Sequence, residues 1–112
     1  MKRILASQTT KYIGEKVRVC GWVNSRRDHG KIIFIDLRDR SGLVQIVFTE
    51  ELKSEVYKLS DKLRPEWVIE VMGVVKKRPE KMKNPKIETG SIEIKAENLK
   101  IYSSAKTLPF SI

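Results

Sequence analysis

At 112 residues the chain has room for one ordinary domain, and a hydrophobic share of 40% excludes wholesale disorder. The balance of 23 Lys plus Arg against 14 Asp plus Glu gives a formal net charge of +9, which on so small a domain suits either a polyanionic partner or a lysine-rich solvated surface. A single cysteine, Cys20, excludes an intrachain disulfide or a cysteine-rich zinc site, and the stretch Met1 to Leu5 shows neither a signal-peptide nor a membrane-span pattern, so a cytoplasmic location is expected.

The first alternating run, Lys16 to Ser25, has Val17, Val19 and Val23 on one parity, with Gly21 between them where a strand can bend sharply and Cys20 as a small core residue. Asp28, His29 and Gly30 read as a turn. The second run, Lys31 to Asp39, sets Ile33, Ile35 and Leu37 on one face and Ile32, Phe34, Asp36 and Arg38 on the other. After a turn at Arg40, Ser41 and Gly42, the third run, Leu43 to Phe48, gives Val44, Ile46 and Phe48 the core parity and turns Gln45 outward.

Between Thr49 and Leu63 the period changes. Leu52, Val56, Leu59 and Leu63 form one apolar helical stripe, with Thr49 as N-cap, Glu50 and Glu51 in the first turn, Lys62 and Arg64 at the end and Pro65 as the stop. Strand pattern returns at Trp67 to Lys77. A Pro- and Lys-rich loop, Arg78 to Thr89, precedes the last run, Gly90 to Tyr102, with Ile92, Ile94 and Ala96 inward. Residues 1–102 therefore read as one domain, and the tail from Ser103 to Ile112 as a linker.

Three strands, a helix and two strands is the element order of an OB-fold: an all-β, five-stranded barrel with one helix between strands 3 and 4. Such barrels present one sheet face and two long loops to single-stranded nucleic acid or oligosaccharide, and the fold alone does not choose between them. Phe34 is an aromatic at a parity otherwise held by charges, so it is either a stacking platform for an unpaired base or the filler of a second small core. Gln45 carries a donor and an acceptor suited to a base edge such as that of uracil, or is an ordinary solvated residue. Arg26 and Arg27 can grip phosphate or serve as surface charge. The loop cations Arg78, Lys81, Lys83 and Lys86 read as a backbone clamp or a solvated loop, and Glu93 as an acceptor for a base amino group or a salt-bridge partner. His29, the sole histidine, has no companions for a metal site, and no nucleophile, phosphate loop or carboxylate pair supports an enzyme reading of these residues.

The segments GWVNSRRDHG at Gly21 to Gly30, IIFIDLRDRSGLVQIVF at Ile32 to Phe48 and ETGSIEI at Glu88 to Ile94 resemble the N-terminal anticodon-binding domain of bacterial aspartyl-tRNA synthetases; lysyl and asparaginyl relatives share the barrel but match these motifs less well. The resemblance implies that Phe34 stacks on the middle anticodon uridine, Gln45 reads its edge, Arg27 helps hold the loop, and Arg78, Asn84 and Glu93 lie near the outer anticodon bases. His29 occupies a position where members that also charge asparagine tRNA often carry histidine. Ser25 departs from the family, which often has another arginine there, and Lys31 stands where a second glycine is common. The expected partners are the anticodon loop of aspartate tRNA and the catalytic domain of a homodimeric parent enzyme, to which LPFSI at Leu108 to Ile112 would lead as the start of a hinge. No cofactor is expected in these residues; ATP and magnesium are expected only of that catalytic domain. A free-standing single-strand-binding OB protein and a protein-interaction OB domain without a nucleic-acid ligand are the alternative readings.

Overall fold

The alternating runs form five strands that close on themselves. The computed structural model describes residues 3–51 and 54–103, in which β1 (Lys16–His29), β2 (Ile32–Asp39), β3 (Gly42–Phe48), β4 (Val68–Lys77) and β5 (Ile92–Ser103) make a closed barrel in the order β1-β2-β3-β5-β4. Neighbours are antiparallel except β3 and β5, which pair in parallel at Ile46 with Ile94 and Val47 with Lys95. Closure through the short β3–β5 contact joins all five strands into one sheet.

β1 belongs to both halves of the barrel. Its first part, Lys16 to Trp22, pairs with β4, and its second, Trp22 to His29, pairs with β2. Gly21 sits at the junction, and a Cβ there would lie 2.2 Å from the Arg38 carbonyl oxygen, so only glycine lets the two strands approach this closely. The expected inward sets are the core: Val17, Val19, Val23, Ile33, Ile35, Leu37, Val44, Ile46, Phe48, Ile92, Ile94 and Ala96 are all buried. Cys20 is buried too, although it lies on the opposite parity and outside the main apolar cluster. Burial is the main cause raising its thiol pKa.

Most strand ends shift by one or two residues, and the larger differences from the expectation lie in β1 and the helix. β1 runs on to His29 instead of ending at Ser25, because the hairpin turn is made by Gly30 (φ 61°) and Lys31 alone, with His29 paired to Ile32. The helix α1 covers only Ser54–Ser60, so Thr49 does not cap it; Leu52 lies outside the described residues. Glu50 and Glu51 pair instead with Lys31 and Lys95. Beyond Ser60 the backbone tightens to i,i+3 bonds, Lys62 N to Leu59 O and Leu63 N to Ser60 O, which still bury Leu63 completely. Val56, Leu59 and Leu63 thus pack on the core although the regular helix ends at Ser60.

A short 3-10 segment, Ala6–Lys11, had no periodic signal. It packs on β2 and β3 through a buried carboxylate: Asp39 accepts from Ala6 N at 2.7 Å, Ser41 N at 2.8 Å and Ser41 Oγ at 2.6 Å. Three donors satisfy the charge where solvent cannot. The stretch 104–112, including the expected hinge, lies outside the described residues. No helix among the described residues is long and apolar enough to cross a membrane.

Candidate nucleic-acid interface

Strand register brings the predicted residues together. On the outer face, Phe34 of β2 stands between Arg27 of β1 and Val47 of β3, and one step along, Asp36 stands between Ser25 and Gln45. Side chains of neighbouring rungs reach one another diagonally. Arg27 accordingly donates from Nη1 to Asp36 Oδ2 at 2.7 Å and from Nη2 to Gln45 Oε1 at 2.9 Å. Gln45 Nε2 donates to Glu93 Oε1 at 3.0 Å, and Ser25 Oγ donates to Asp36 Oδ2 at 2.7 Å. The outward face at this point is not solvated as alternation suggested. Gln45 is only 4% exposed, covered by the charged groups that fix its amide.

A cavity of about 260 Å³ opens over this network, lined by Arg27, His29, Phe34, Gln45, Arg78, Met82 and Asn84. The His29 ring meets Phe34 edge-on, with centroids 5.6 Å apart and planes at 85°, so it buttresses the phenyl ring at the cavity wall. Glu93 joins from beneath through Gln45. Asn84 turns the loop by accepting from Lys86 N at 3.0 Å. Seven of the eight predicted residues therefore belong to one constellation.

Arg26 is the exception, and Arg78 stands otherwise than as a solvated loop cation. Because β1 extends past Ser25, Arg26 and its neighbour Arg27 point to opposite faces. Arg26 Nη1 donates to the carbonyls of Asp61 and Leu63 at 2.7 and 2.9 Å, and Nε to Asp28 Oδ1 at 2.8 Å, satisfying carbonyls left free just after α1. Arg78 is 7% exposed and holds the loop from within, with Nε on Ile92 O at 2.8 Å. Burial is the main influence lowering its pKa, opposed by the charges of Glu93 and Asp36.

Asp36, Ser25 and Met82 were not singled out by residue chemistry. Asp36 was legible in principle, since the Asp39 to Gly42 hairpin fixes it opposite Gln45. Met82 was not, for it belongs to a short 3-10 turn, Glu80–Met82, inside an aperiodic loop. The interior of the site sets two guanidinium groups, Arg27 and Arg78, against two carboxylates, Asp36 and Glu93. Such a balance suits hydrogen bonding to a neutral base better than capture of a phosphate, and of the lysines in the flanking loops Lys31 and Lys83 are paired with Glu50 and Glu80.

Burial pushes the Asp36 carboxyl pKa up, but the bonds from Arg27 and Ser25 and the charges of Arg27 and Arg78 outweigh it and hold the group below its ordinary value. In the unfolded chain this carboxyl titrates at about 3.9. Its folded pKa is lower, so on acidification the unfolded chain takes up the proton first, and the stabilisation present above that range is lost as pH falls through the folded value. The melting-temperature difference between the wild type and Asp36→Asn should be constant above about pH 5 and shrink below about pH 4. Thermal melts across that range check it; parallel curves would mean that Asp36 is not held in this way.

Comparison with known proteins agrees with the barrel. The family model for the OB-fold nucleic acid binding domain matches residues 17–102. The chain belongs to this family. Among curated relatives, the OB-fold chain is similar to an aspartate–tRNA(Asp/Asn) ligase of Dictyoglomus turgidum, 57% identical over 102 residues, covering 91% of this chain and 17% of that protein. A ligase of the same name from Caldanaerobacter subterraneus is 57% identical over 103 residues, with the same coverage. The chain thus spans about a sixth of the length of the curated relatives it matches. Of solved structures, the asparaginyl-tRNA synthetase from Pyrococcus horikoshii complexed with asparaginyl-adenylate superimposes with a TM-score of 0.78 at 27% identity, covering 97% of the OB-fold chain and 24% of its own.

Proposed function

We propose that this domain binds the anticodon loop of aspartate tRNA, stacking the middle uridine on Phe34 and reading its edge with Gln45. The observation that carries the proposal is the pinned amide of Gln45. Its Oε1 accepts from Arg27 and its Nε2 donates to Glu93, which leaves one lone pair and one proton in fixed order. A base stacked in one orientation meets that order correctly if it presents a keto oxygen beside a ring N–H, as uracil and guanine do. Cytosine and adenine present an amino group beside a ring nitrogen, the reverse order.

By the same reading, the parent enzyme is a homodimeric, cytoplasmic ligase that activates aspartate with ATP and magnesium and transfers it to tRNA, and that chemistry resides outside these 112 residues. The name shared by the relatives, aspartate–tRNA(Asp/Asn) ligase, and the position of His29 beside Phe34 support extending the proposal to a parent that also charges asparagine tRNA.

Fluorescence anisotropy with a labelled stem-loop bearing GUC, beside one bearing GAC, tests the reading. The wild-type chain should prefer GUC by about tenfold, the worth of one or two net hydrogen bonds, and Gln45→Ala should erase most of that preference. Equal binding of both loops with steep salt dependence would overturn base reading in favour of a generic single-strand binder.

A further inference from the structure

Among the described residues, the exposed large hydrophobics are Ile13, Ile32, Met82 and Tyr102, and Met82 is the most exposed at 53%. It is also the one that lines the cavity with Phe34 and His29. Its backbone is held firmly for a loop residue. Met82 N donates to Pro79 O at 2.8 Å, and its carbonyl accepts from Arg78 Nη1 at 3.4 Å, while Arg78 is itself buried and anchored to Ile92 O. A buried cation therefore fixes the point from which a bare thioether side chain meets the cavity.

We propose that Met82 is a base-contacting residue, an apolar wall covered by an unpaired nucleobase when RNA occupies the cavity. The inference rests on the reading that this cavity takes an unpaired base. The occupant is a base of an RNA loop rather than a protein side chain because the apolar patch is small and shares its cavity with the hydrogen-bonding groups of Gln45 and Asn84, in a chain of net charge +9. A polarisable thioether adapts to any aromatic face. Met82 should thus add affinity without discriminating between bases, the opposite of Gln45.

Two measurements on the 112-residue chain test this. Met82→Ala should weaken binding of both the GUC and the GAC stem-loop by about three- to tenfold and keep their ratio, whereas Met82→Leu should stay within about twofold of wild type. Separately, hydrogen peroxide oxidises a thioether by transferring one oxygen atom to sulfur and leaving water. Saturating GUC stem-loop should slow sulfoxide formation at Met82, followed by mass spectrometry, and leave Met72, which lies on β4 and does not line the cavity, unchanged. If Met82→Ala binds like wild type and Met82 is not protected, while Gln45→Ala still erases the GUC preference, the inference falls and anticodon reading stands. If the wild type shows no GUC preference, the anticodon reading falls and this inference with it.

Discussion

Replacing Phe34 with alanine should weaken binding of a GUC stem-loop by about 10- to 100-fold while leaving the barrel folded, since a base–aromatic stack is worth about 1 to 3 kcal/mol. The separation of the two effects follows from parity. Phe34 alternates with Ile33 and Ile35, which are buried in the barrel, and lies half-buried on the outer face with the His29 ring edge-on against it. Truncation removes the floor of the cavity but opens no void in the core, so the melting temperature should change far less than for the fully buried Phe48, whose loss to alanine would cost about 3 to 5 kcal/mol. Phe34→Tyr retains the ring and should keep most of the affinity. Anisotropy titrations paired with thermal melts read both quantities, and a stably folded Phe34→Ala that bound RNA like wild type would rule the stacking platform out.

Strand parity made most of this site legible beforehand, for a reason visible in particular residues. Alternation with period two is dictated by backbone geometry, so Phe34 and Gln45 had to emerge on the face opposite Ile33, Ile35, Val44 and Ile46. Parity says which face a side chain takes but not what covers it. Gln45 faces outward yet is buried, because Arg27, Asp36 and Glu93 converge over it from three other strands. The pairing of Arg26 with Arg27 misled for the complementary reason. Their shared fate was read from adjacency, and adjacency within a strand means opposite faces once β1 extends to His29. Within the expected helical stripe Val56, Leu59 and Leu63 do pack inward while the backbone is not helical throughout, since apolar spacing specifies burial and only capping chemistry specifies where the helix stops. In the loop from Arg78 to Thr89 no periodicity exists to be read, and its order depends on close backbone approaches.

One such approach carries the second large expected effect. Gly90→Ala should destabilise the domain by about 2 to 3 kcal/mol and weaken RNA binding, although Gly90 touches no predicted ligand. A Cβ at this position would lie 1.6 Å from the carbonyl oxygen of Asn84 and 2.6 Å from its carbonyl carbon, both backbone atoms that no rotamer change can move. The same two residues are tied by Asn84 N to Gly90 O at 2.9 Å, so the loop doubles back on itself at this contact. Relief requires the 84 side of the loop to shift, and that side carries Asn84 and, two residues earlier, Met82 at the cavity rim. The other side cannot yield easily, because Thr89 Oγ1 is bonded to Leu43 O and Ile92 is fully buried. Gly14→Ala is the appropriate control: nothing lies within 4 Å of its Cβ, and its cost, about 1 kcal/mol, comes from the positive φ of 87° alone. Melting temperatures of the two variants, with GUC stem-loop affinities measured well below each transition, separate the mechanisms. Gly14→Ala should lose a little stability and no affinity, and Gly90→Ala should lose both. Wild-type affinity in a folded Gly90→Ala would mean that the position of the loop contributes nothing to binding, and that the cavity works through the strands alone.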